Sequence, residues 1–250
     1  MSEMFRNIKA IRVGKETFER DEKIVNDEEI EINVNGLAFG RFSVSPNFLR
    51  EFAVGYLAGQ GLIDSIDNLK KIDVDQNTIN IEIDLQDFDI RREMVMSSDC
   101  FGGWRGKIEF VDEVVSDYAI SKDQILGAFK KLKEESRVWK ETGGTHIAAL
   151  VTEEDFITIE DVSRHVAIDK VVGSGLLKGV DFSRSFIVSS GRMPSDMVMK
   201  VARMGIPILT SKAAPTASGL MAAEESGLTI VGFVRGGRFN IYTHPQRILF

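Results

Sequence analysis

The single cysteine of the chain is the first residue to consider for chemistry. Cys100 stands in the segment Ser98-Asp99-Cys100-Phe101-Gly102-Gly103-Trp104-Arg105, and the serine and glycine content predicts a loop over residues 97–106. Arg105 can stabilise a thiolate, the nucleophilic form of cysteine, whereas the negative charge of Asp99 destabilises it. The alternative role of a lone cysteine is that of a small buried apolar side chain. A single thiol excludes an internal disulfide and a cysteine-rich metal site.

A second group of candidates follows three predicted strands near the C-terminus. The strand ends lead into Ser190-Gly191-Arg192, Ser211-Lys212-Ala213-Ala214-Pro215-Thr216 and Arg235-Gly236-Gly237-Arg238. Ligands of layered sheets collect at the carboxyl ends of strands, and two of these loops lead into helices, whose N-termini favour anions. The pattern predicts a pocket for phosphate or pyrophosphate; the alternative is ordinary turns with solvated basic residues. Neither the P-loop nor the dinucleotide Rossmann fingerprint occurs in the sequence.

A third group combines acids, hydroxyls and two histidines. It comprises Thr142-Gly143-Gly144-Thr145-His146, before a predicted strand, and Glu160-Asp161-Val162-Ser163-Arg164-His165, before a predicted helix. His165 and Asp169 share a face of that helix, so they could form a proton-transfer pair. The alternatives are structural, because Asp161 or Ser163 can cap the helix and Arg164 can pair with a carboxylate. Two histidines without a second cysteine make a poor zinc set, and the zinc-deaminase signature is missing, so we predict no metal site.

Local patterns predict the elements that must position these groups. The first half of the chain is predicted to be rich in strands, at residues 29–34, 37–44, 70–74 and 78–85, with one helix at 47–62. The Asn35-Gly36 dipeptide is typical of a hairpin turn between the first two of these strands.

The second half alternates helices with strands. Helices are predicted at 121–136, 164–177, 194–204 and 215–225, and strands at 146–152, 156–160, 185–190, 206–210, 228–234 and 238–243. Ser121 and Gln124 have the spacing of a capping box at the start of the first of these helices. The alternation predicts a layered α/β sheet with right-handed crossovers, in a chain that is α+β overall. We expect a β-rich part over residues 1–113, which includes Cys100, and an α/β domain over residues 114–250.

Composition limits the classes of function. The chain has 250 residues, 43% of them apolar, and a formal net charge of −7. The acidic balance argues against general nucleic-acid binding, and the apolar content is that of a globular protein. The N-terminus has no signal-peptide pattern, and no apolar run approaches the ~18 residues of a membrane span. With a free thiol, these features predict a soluble cytoplasmic protein without a membrane partner.

Several sequence motifs, taken together, resemble those of one protein family. They are Thr142-Gly143-Gly144-Thr145-His146, the run from Glu160 to Lys170 (EDVSRHVAIDK), Ser190-Gly191-Arg192, the run from Gly205 to Leu209 (GIPIL), Ser211-Lys212-Ala213-Ala214-Pro215-Thr216, and the run from Gly232 to Pro245 (GFVRGGRFNIYTHP). The sequence is similar, densely from about residue 142 and more loosely before it, to the FdhD family of accessory sulfurtransferases required for active formate dehydrogenase.

The resemblance implies a function, a fold and partners. Family members take sulfur from a cysteine desulfurase, hold it as a cysteine persulfide and pass it to the molybdenum or tungsten bis-guanine-dinucleotide cofactor of formate dehydrogenase. They are homodimers in the cytoplasm, and their C-terminal domain is a three-layer α/β domain like that of cytidine deaminase, without its zinc. In this chain Cys100 would carry the persulfide.

The same resemblance assigns binding residues for the guanine nucleotide. The cofactor-binding stretch would be Phe233-Val234-Arg235-Gly236-Gly237-Arg238, joined by Arg192, Ser211, Lys212 and Thr216. Supporting residues would come from the third group, namely His146, Asp161, Arg164, His165 and Asp169. A guanine dinucleotide brings a pyrophosphate, which agrees with the anion pocket predicted from the strand ends.

One departure from the family pattern leaves alternatives open. The usual C-x-x-C motif is reduced to Cys100 followed by Gly103 in the second position. One thiol is enough to form a persulfide, but it cannot form the disulfide that would help to release sulfur. The alternatives to a sulfurtransferase are a cofactor-binding chaperone without sulfur transfer and a nucleotide-modifying enzyme that uses His165 with Asp161 or Asp169.

Overall fold

The structure, a computed structural model, describes residues 3–84, 92–96, 102–106 and 112–250. The first half contains β1 (Phe5–Val13), β2 (Thr17–Val25), β3 (Glu28–Val34), β4 (Leu37–Val44), α1 (Leu49–Gly59), β5 (Leu69–Asp75), β6 (Thr78–Ile83), β7 (Arg92–Met96) and β8 (Gly102–Gly106). Three sheets result, with β1 paired to β2, β7 paired to β8, and four strands in the order β4-β3-β6-β5.

The four-stranded sheet follows from local sequence signals. Asn35 and Gly36 both have positive φ, 49° and 78°, the backbone that a tight hairpin turn requires. Alternation along β3 turns Ile30 and Ile32 inward, and both are fully buried beneath α1. The hairpin, the second hairpin β5–β6 and the helix α1 confirm the predictions for this region, with α1 shorter at both ends than predicted.

The second half contains a larger sheet. Its elements are β9 (Ile120–Ser121), α2 (Lys122–Glu135), α3 (Arg137–Thr142), β10 (His146–Val151), β11 (Phe156–Asp161), α4 (Arg164–Lys178), β12 (Phe186–Ser189), α5 (Ser195–Arg203), β13 (Ile208–Ser211), α6 (Ala217–Glu225), β14 (Thr229–Arg235), β15 (Arg238–Ile241) and β16 (Ile248–Leu249). Six strands are ordered β11-β10-β12-β13-β14-β15, and β12, β13 and β14 are parallel. One face packs against α4, α5 and α6, and the other packs against α2. The predicted layered α/β sheet is therefore confirmed.

The two halves meet where α1 crosses α4. A Cβ on Gly55 would overlap the carbonyl oxygen of Asp169, and one on Gly173 would overlap that of Glu51. The helices approach so closely because both crossing positions are glycine. The boundary near residue 113 remains a prediction.

Three features of the fold differ from expectation. Residues 102–106, predicted as part of a loop, form β8, whose backbone pairs antiparallel with β7; Ser97–Phe101 lie outside the described residues. Glycine does not prevent this pairing, because the ladder uses only backbone groups. The hairpin β1–β2 and the short helix α3 were not predicted. No helix in the described part of the chain is long and apolar enough to cross a membrane.

Candidate functional site

The parallel strands β12, β13 and β14 bring three predicted binding loops to one edge of the sheet. Ser189 at the end of β12 pairs with Ser211 at the end of β13, and Thr210 pairs with Val231 on β14. Because parallel strands end on the same side, the loops that follow them begin at a common edge. This placement agrees with the order of elements expected from the sequence.

The Phe233-Val234-Arg235-Gly236-Gly237-Arg238 stretch forms the turn between β14 and β15. Gly236 and Gly237 have positive φ, 59° and 74°, a backbone that side chains with a Cβ rarely adopt. Arg235 and Arg238 pair across this turn, and both are exposed. The Arg235 guanidinium lies 5.5 Å from the centre of the Phe233 ring. The turn therefore presents two guanidinium groups to solvent.

A cavity of about 480 Å³ opens between α2, α3 and the start of β10. Its lining includes Lys133 from α2, Trp139 from α3, His146 from β10, Ser190 after β12 and Lys212 after β13. The structure thus brings together candidates from the second and third groups. The predicted arginines do not contribute to this lining; they are Arg192, Arg235 and Arg238.

His146 and Ser190 form a pair in this cavity. His146 Nδ1 lies 3.2 Å from Ser190 Oγ, and Ser190 Oγ also accepts the Ile147 backbone N–H at 3.1 Å. Burial lowers the pKa of His146, which favours the neutral imidazole. A neutral ring can accept the Ser190 hydroxyl hydrogen at Nδ1, so His146 is suited to take up or hand on a proton.

A second cavity, of about 330 Å³, adjoins the first and shares His146 with it. Arg164 and His165 line it from the first turn of α4. His165 Nδ1 lies 3.5 Å from Asp196 Oδ2. Burial lowers the pKa of Arg164, as does the positive charge of Arg192, while Asp196 opposes the change. The positive charge of Arg192 therefore acts on Arg164, which is one of the lining residues of this second cavity.

The structure gives His165 and Asp169, the predicted proton-transfer pair, different ionic partners. Asp169 forms a buried ion pair with Lys200 of α5, whereas His165 faces Asp196. Burial raises the pKa of Asp169 to about 6, with Lys200 opposing the rise. Asp161 is also fully buried, in an ion pair with Lys170. These acids hold the helices in place, and neither lines the two cavities.

Two further predicted residues shape the loops. Ser211 is buried; its hydroxyl donates to the Gly191 carbonyl at 2.6 Å and accepts the Ala213 N–H at 3.0 Å. Thr216 caps α6 by accepting the Gly219 N–H at 3.1 Å. Both hydroxyls are engaged with the backbone: Ser211 joins the ends of β12 and β13, and Thr216 fixes the start of α6.

Sequence reasoning missed Lys133, which lies on the predicted helix α2 without any local sign of a binding role, and Trp139, because α3 was not predicted. The Glu160 carboxylate accepts the backbone N–H groups of Val138 and Trp139 at 2.7 and 2.8 Å, and the Thr145 hydroxyl at 3.1 Å. A carboxylate at a helix N-terminus satisfies N–H groups that have no partner within the helix. Glu160, the acid that holds the start of α3, lies on the strand β11. No local sequence pattern therefore predicts α3.

Within residues 3–84 and 112–250 no group of three or more His, Cys, Asp or Glu side chains is placed to hold a metal ion.

Comparison with known proteins places the chain in a family. Residues 25–249 match the family model described as FdhD/NarQ. The chain belongs to the FdhD/NarQ family. The sulfur carrier protein FdhD of Methanothermobacter thermautotrophicus is 55% identical over 246 residues, which cover 98% of this chain and 99% of that protein. The sulfur carrier protein FdhD of Bacillus pumilus is 37% identical over 256 residues, covering 97% and 96%.

The fold is also similar to a solved structure. A crystal structure described as that of a formate dehydrogenase accessory protein, from Desulfotalea psychrophila, superposes with a TM-score of 0.82 at 29% identity. The match covers 99% of this chain and 100% of that one. The mixed α/β architecture is therefore shared along the whole length of this FdhD/NarQ chain.

The predicted nucleophile of this FdhD/NarQ chain, Cys100, lies outside the described residues. It falls in the sequence between Met96, the last residue of β7, and Gly102, the first of β8, and these two residues pair with each other. The backbone of Gly103, which stands at the second position of the family motif, pairs with Val95.

Proposed function

We propose that this chain is a sulfur carrier for formate dehydrogenase that holds sulfur as a persulfide on Cys100. The observation that carries the proposal is the family match over residues 25–249, together with relatives named sulfur carrier protein that align over nearly their whole length. Cys100 is the only thiol available for the task. A free thiol without a disulfide partner suits a reducing compartment, so we place the protein in the cytoplasm.

The loading step requires one thiol and no external oxidant. The Cys100 thiolate attacks the outer sulfur of a persulfide on a cysteine desulfurase, a new S–S bond forms, and the desulfurase thiolate leaves. In delivery a nucleophile on the acceptor attacks the outer sulfur, and the Cys100 thiolate leaves. The acceptor is the molybdenum or tungsten bis-guanine-dinucleotide cofactor destined for formate dehydrogenase. Conversion of the sulfane sulfur to sulfide takes two electrons. Because Gly103 replaces the second cysteine, external thiols must supply these electrons and become a disulfide as the sulfide is formed.

The basic strand ends are the proposed binding edge for the guanine nucleotide of that cofactor. Arg192 and Lys212 follow β12 and β13, and Arg235 and Arg238 flank the turn that ends β14, so all four stand at the carboxyl ends of the three parallel strands. A pyrophosphate can be bound there by guanidinium and ammonium groups in a chain that is otherwise acidic. We expect guanine nucleotides to bind more tightly than adenine nucleotides, and Arg235→Ala or Arg238→Ala to weaken binding in a calorimetric titration. Equal affinity for both bases would contradict the assignment.

The larger sheet supports the deaminase-like arrangement that the resemblance implies. The strand order β11-β10-β12-β13-β14-β15, with three adjacent parallel strands between two helical layers, is the observation that favours it. The proposal uses this scaffold without a zinc ion. It also includes a homodimer, which sedimentation velocity would test by giving the mass of two chains.

The test of sulfur carrying is an intact-mass measurement. The protein is incubated with a cysteine desulfurase and cysteine and then weighed without a reducing agent. We expect the wild type to gain the mass of one sulfur atom, which dithiothreitol removes, and Cys100→Ala to gain nothing. Gly103→Cys is the matched variant, because it restores the second thiol and should release the sulfur faster. An unchanged mass for the wild type would overturn the proposal.

A chaperone that binds the cofactor without transferring sulfur is the second candidate. The observation that favours it is Gly103, which removes the second thiol of the family motif. The two functions are separated by complementation in cells that lack their own carrier protein. Formate dehydrogenase activity restored by Cys100→Ala would establish the chaperone, whereas activity restored only by the wild type would support the sulfur carrier.

A further inference from the structure

The second cavity has the size of a site for a small metabolite. Its volume of about 330 Å³ lies at the lower end of the ~300–1,000 Å³ of small-molecule sites, which suits a ligand smaller than a nucleotide. Both halves of the chain contribute to its lining: Asp27 and Ser43 come from the first half, and Arg164 and His165 come from the start of α4. A ligand bound there would therefore contact both halves.

Arg164 gives this lining a group that binds carboxylates. Its alkyl chain lies over Gly191, where a Cβ would come within 2.8 Å of Arg164 Cδ, so the lack of a side chain at this glycine makes room for the arginine. Burial and the positive charge of Arg192 both lower the pKa of Arg164, because they disfavour its charged form. A carboxylate bound by the guanidinium would offset both effects.

Asp27 gives the same lining a group of opposite charge. Its carboxylate accepts the Ser43 hydroxyl at 2.8 Å, which holds one carboxylate oxygen in place on the first half of the chain. The residue is exposed, so its other oxygen can accept a hydrogen bond from a bound ammonium group. A guanidinium for a carboxylate and a carboxylate for an ammonium are the two charge-assisted contacts that an amino acid requires.

The proposed function needs an external thiol at the release of sulfur. Because Gly103 stands in place of the second cysteine, no thiol of this chain can supply the electrons that form sulfide. A thiol held in a cavity reacts faster than one in dilute solution, because binding provides the position and orientation that a free thiol must find by collision. The two charged groups of the second cavity would select such a thiol by its carboxylate and its ammonium.

We propose that the second cavity binds a small amino-acid thiol of the size of cysteine, with its carboxylate on Arg164 and its ammonium on Asp27. This thiol takes the place of the second cysteine in the family motif, a role that rests on the proposed function. Its thiolate attacks the inner sulfur of the Cys100 persulfide, a mixed disulfide forms, and hydrosulfide leaves. A second thiolate attacks the small-thiol sulfur of that disulfide, so the Cys100 thiolate leaves and the two small thiols end as a disulfide. Two thiols thus supply the two electrons.

The first experiment is a calorimetric titration of the full chain, reduced and without bound sulfur, in the absence of oxygen. Three thiols of matched length are the probes: L-cysteine, cysteamine, which lacks the carboxylate, and 3-mercaptopropionate, which lacks the ammonium. Each analogue loses one charge-assisted hydrogen-bonded contact, so each should bind about tenfold more weakly than L-cysteine.

Two variants test the two contacts separately. Arg164→Gln should weaken L-cysteine by about tenfold without weakening cysteamine, because cysteamine has no carboxylate for the guanidinium to bind. Asp27→Asn should weaken L-cysteine by about tenfold without weakening 3-mercaptopropionate, which has no ammonium. Arg137→Gln and Asp75→Asn are the matched controls, since both residues are exposed and neither lines the cavity. Far-ultraviolet circular dichroism shows whether each variant is folded.

The second experiment measures the sulfide released by the loaded chain after the desulfurase and its cysteine have been removed. The rate should saturate as L-cysteine is added, and Arg164→Gln should raise the half-saturating concentration by about tenfold. Gly103→Cys should release its sulfide without any added thiol, because its own second thiol supplies the electrons.

The outcomes separate this inference from the proposed function. Equal affinity for the three thiols, or L-cysteine binding that is unchanged in both Arg164→Gln and Asp27→Asn, would overturn the cavity assignment. A release rate that rises linearly with L-cysteine and is the same in Arg164→Gln would overturn the role of a bound thiol. A wild type that gains no sulfur on Cys100 would overturn the proposed function and the release step with it, while the titration still decides whether the cavity binds an amino-acid thiol.

Discussion

Replacing Lys170 with methionine tests whether a buried charge network joins the two halves of the chain. The Lys170 ammonium donates to the Asp161 carboxylate at 2.6 Å, to the Ser45 carbonyl at 2.8 Å and to Asn47 Oδ1 at 2.9 Å. Asp161 also accepts the N–H groups of Ser45 and Ser163, at 3.1 and 2.8 Å. The side chains of the ion pair are fully buried. One lysine thus connects the start of α1 to the strand and helix that flank the cavities.

The size of the effect follows from the burial. Removing one partner of a buried ion pair costs about 3–5 kcal/mol, because the remaining charge is left without compensation. For a chain of this length that loss lowers the melting temperature by roughly 6–20 °C. Burial already raises the pKa of Asp161, so its carboxyl takes up a proton more readily once Lys170 is gone. The double variant Lys170→Met/Asp161→Asn should therefore cost at least ~1 kcal/mol less than the sum of the single variants.

Urea unfolding followed by circular dichroism measures these differences at neutral pH. The matched control is Lys9→Met, which breaks the pair with Glu19 at 2.8 Å on the exposed β1–β2 hairpin. Because both of these side chains are largely exposed, the control should cost no more than about 1 kcal/mol. A cost for Lys170→Met as small as that of the control, or strict additivity in the double variant, would refute the reasoning.

Two further predictions concern the helix contacts. Burial gives Asp169 a pKa of about 6 against an ordinary value of 3.8, so the folded state holds its proton more tightly and stability falls as pH rises through this interval. From about pH 4 to about pH 7 the free energy of unfolding should shift in favour of Asp169→Asn over wild type by about 2 kcal/mol, and parallel urea-unfolding profiles would contradict this. Gly55→Ala should destabilise the fold by about 3 kcal/mol or more, because its Cβ would overlap the backbone of α4. Gly127→Ala, on α2 with open space around it, should raise the melting temperature with a gain of about 0.5–1 kcal/mol; equal effects of the two changes would contradict the close crossing.

Elements with strong local signals could be predicted from the sequence. The capping box of α2 is an example, since Ser121 accepts the Gln124 N–H at 3.2 Å and Gln124 accepts the Ser121 N–H at 2.8 Å. The Asn35-Gly36 turn is another, because its backbone requires those residue types. The alternation of helices and strands likewise gave the correct order of the elements from β10 to β15. Each of these signals acts between residues that are close in the chain.

Elements without such a signal were missed. The helix α3 spans six residues, Arg137–Thr142, too few for an apolar period to be recognised. Its start is held by Glu160, an acid on β11. Because Trp139 lies on α3, the aromatic side of the cavity could not be predicted either. The basic edge of the candidate site could therefore be predicted from the sequence, whereas the residues that α3 contributes could not.

The sequence by itself was enough to predict the order of the elements from β10 to β15, and it shows the single thiol at Cys100 and the motifs of the family. Tertiary structure decided which charged groups meet. Asp169 and His165 are one helical turn apart, yet Asp169 pairs with Lys200 of α5 and His165 lies near Asp196. The physical reason is that turns and periodicity depend on neighbouring residues, whereas ion pairing depends on which helices bury a charge together. Only the packed sheet and its helices show that Lys133 and Lys212 share a cavity with Trp139.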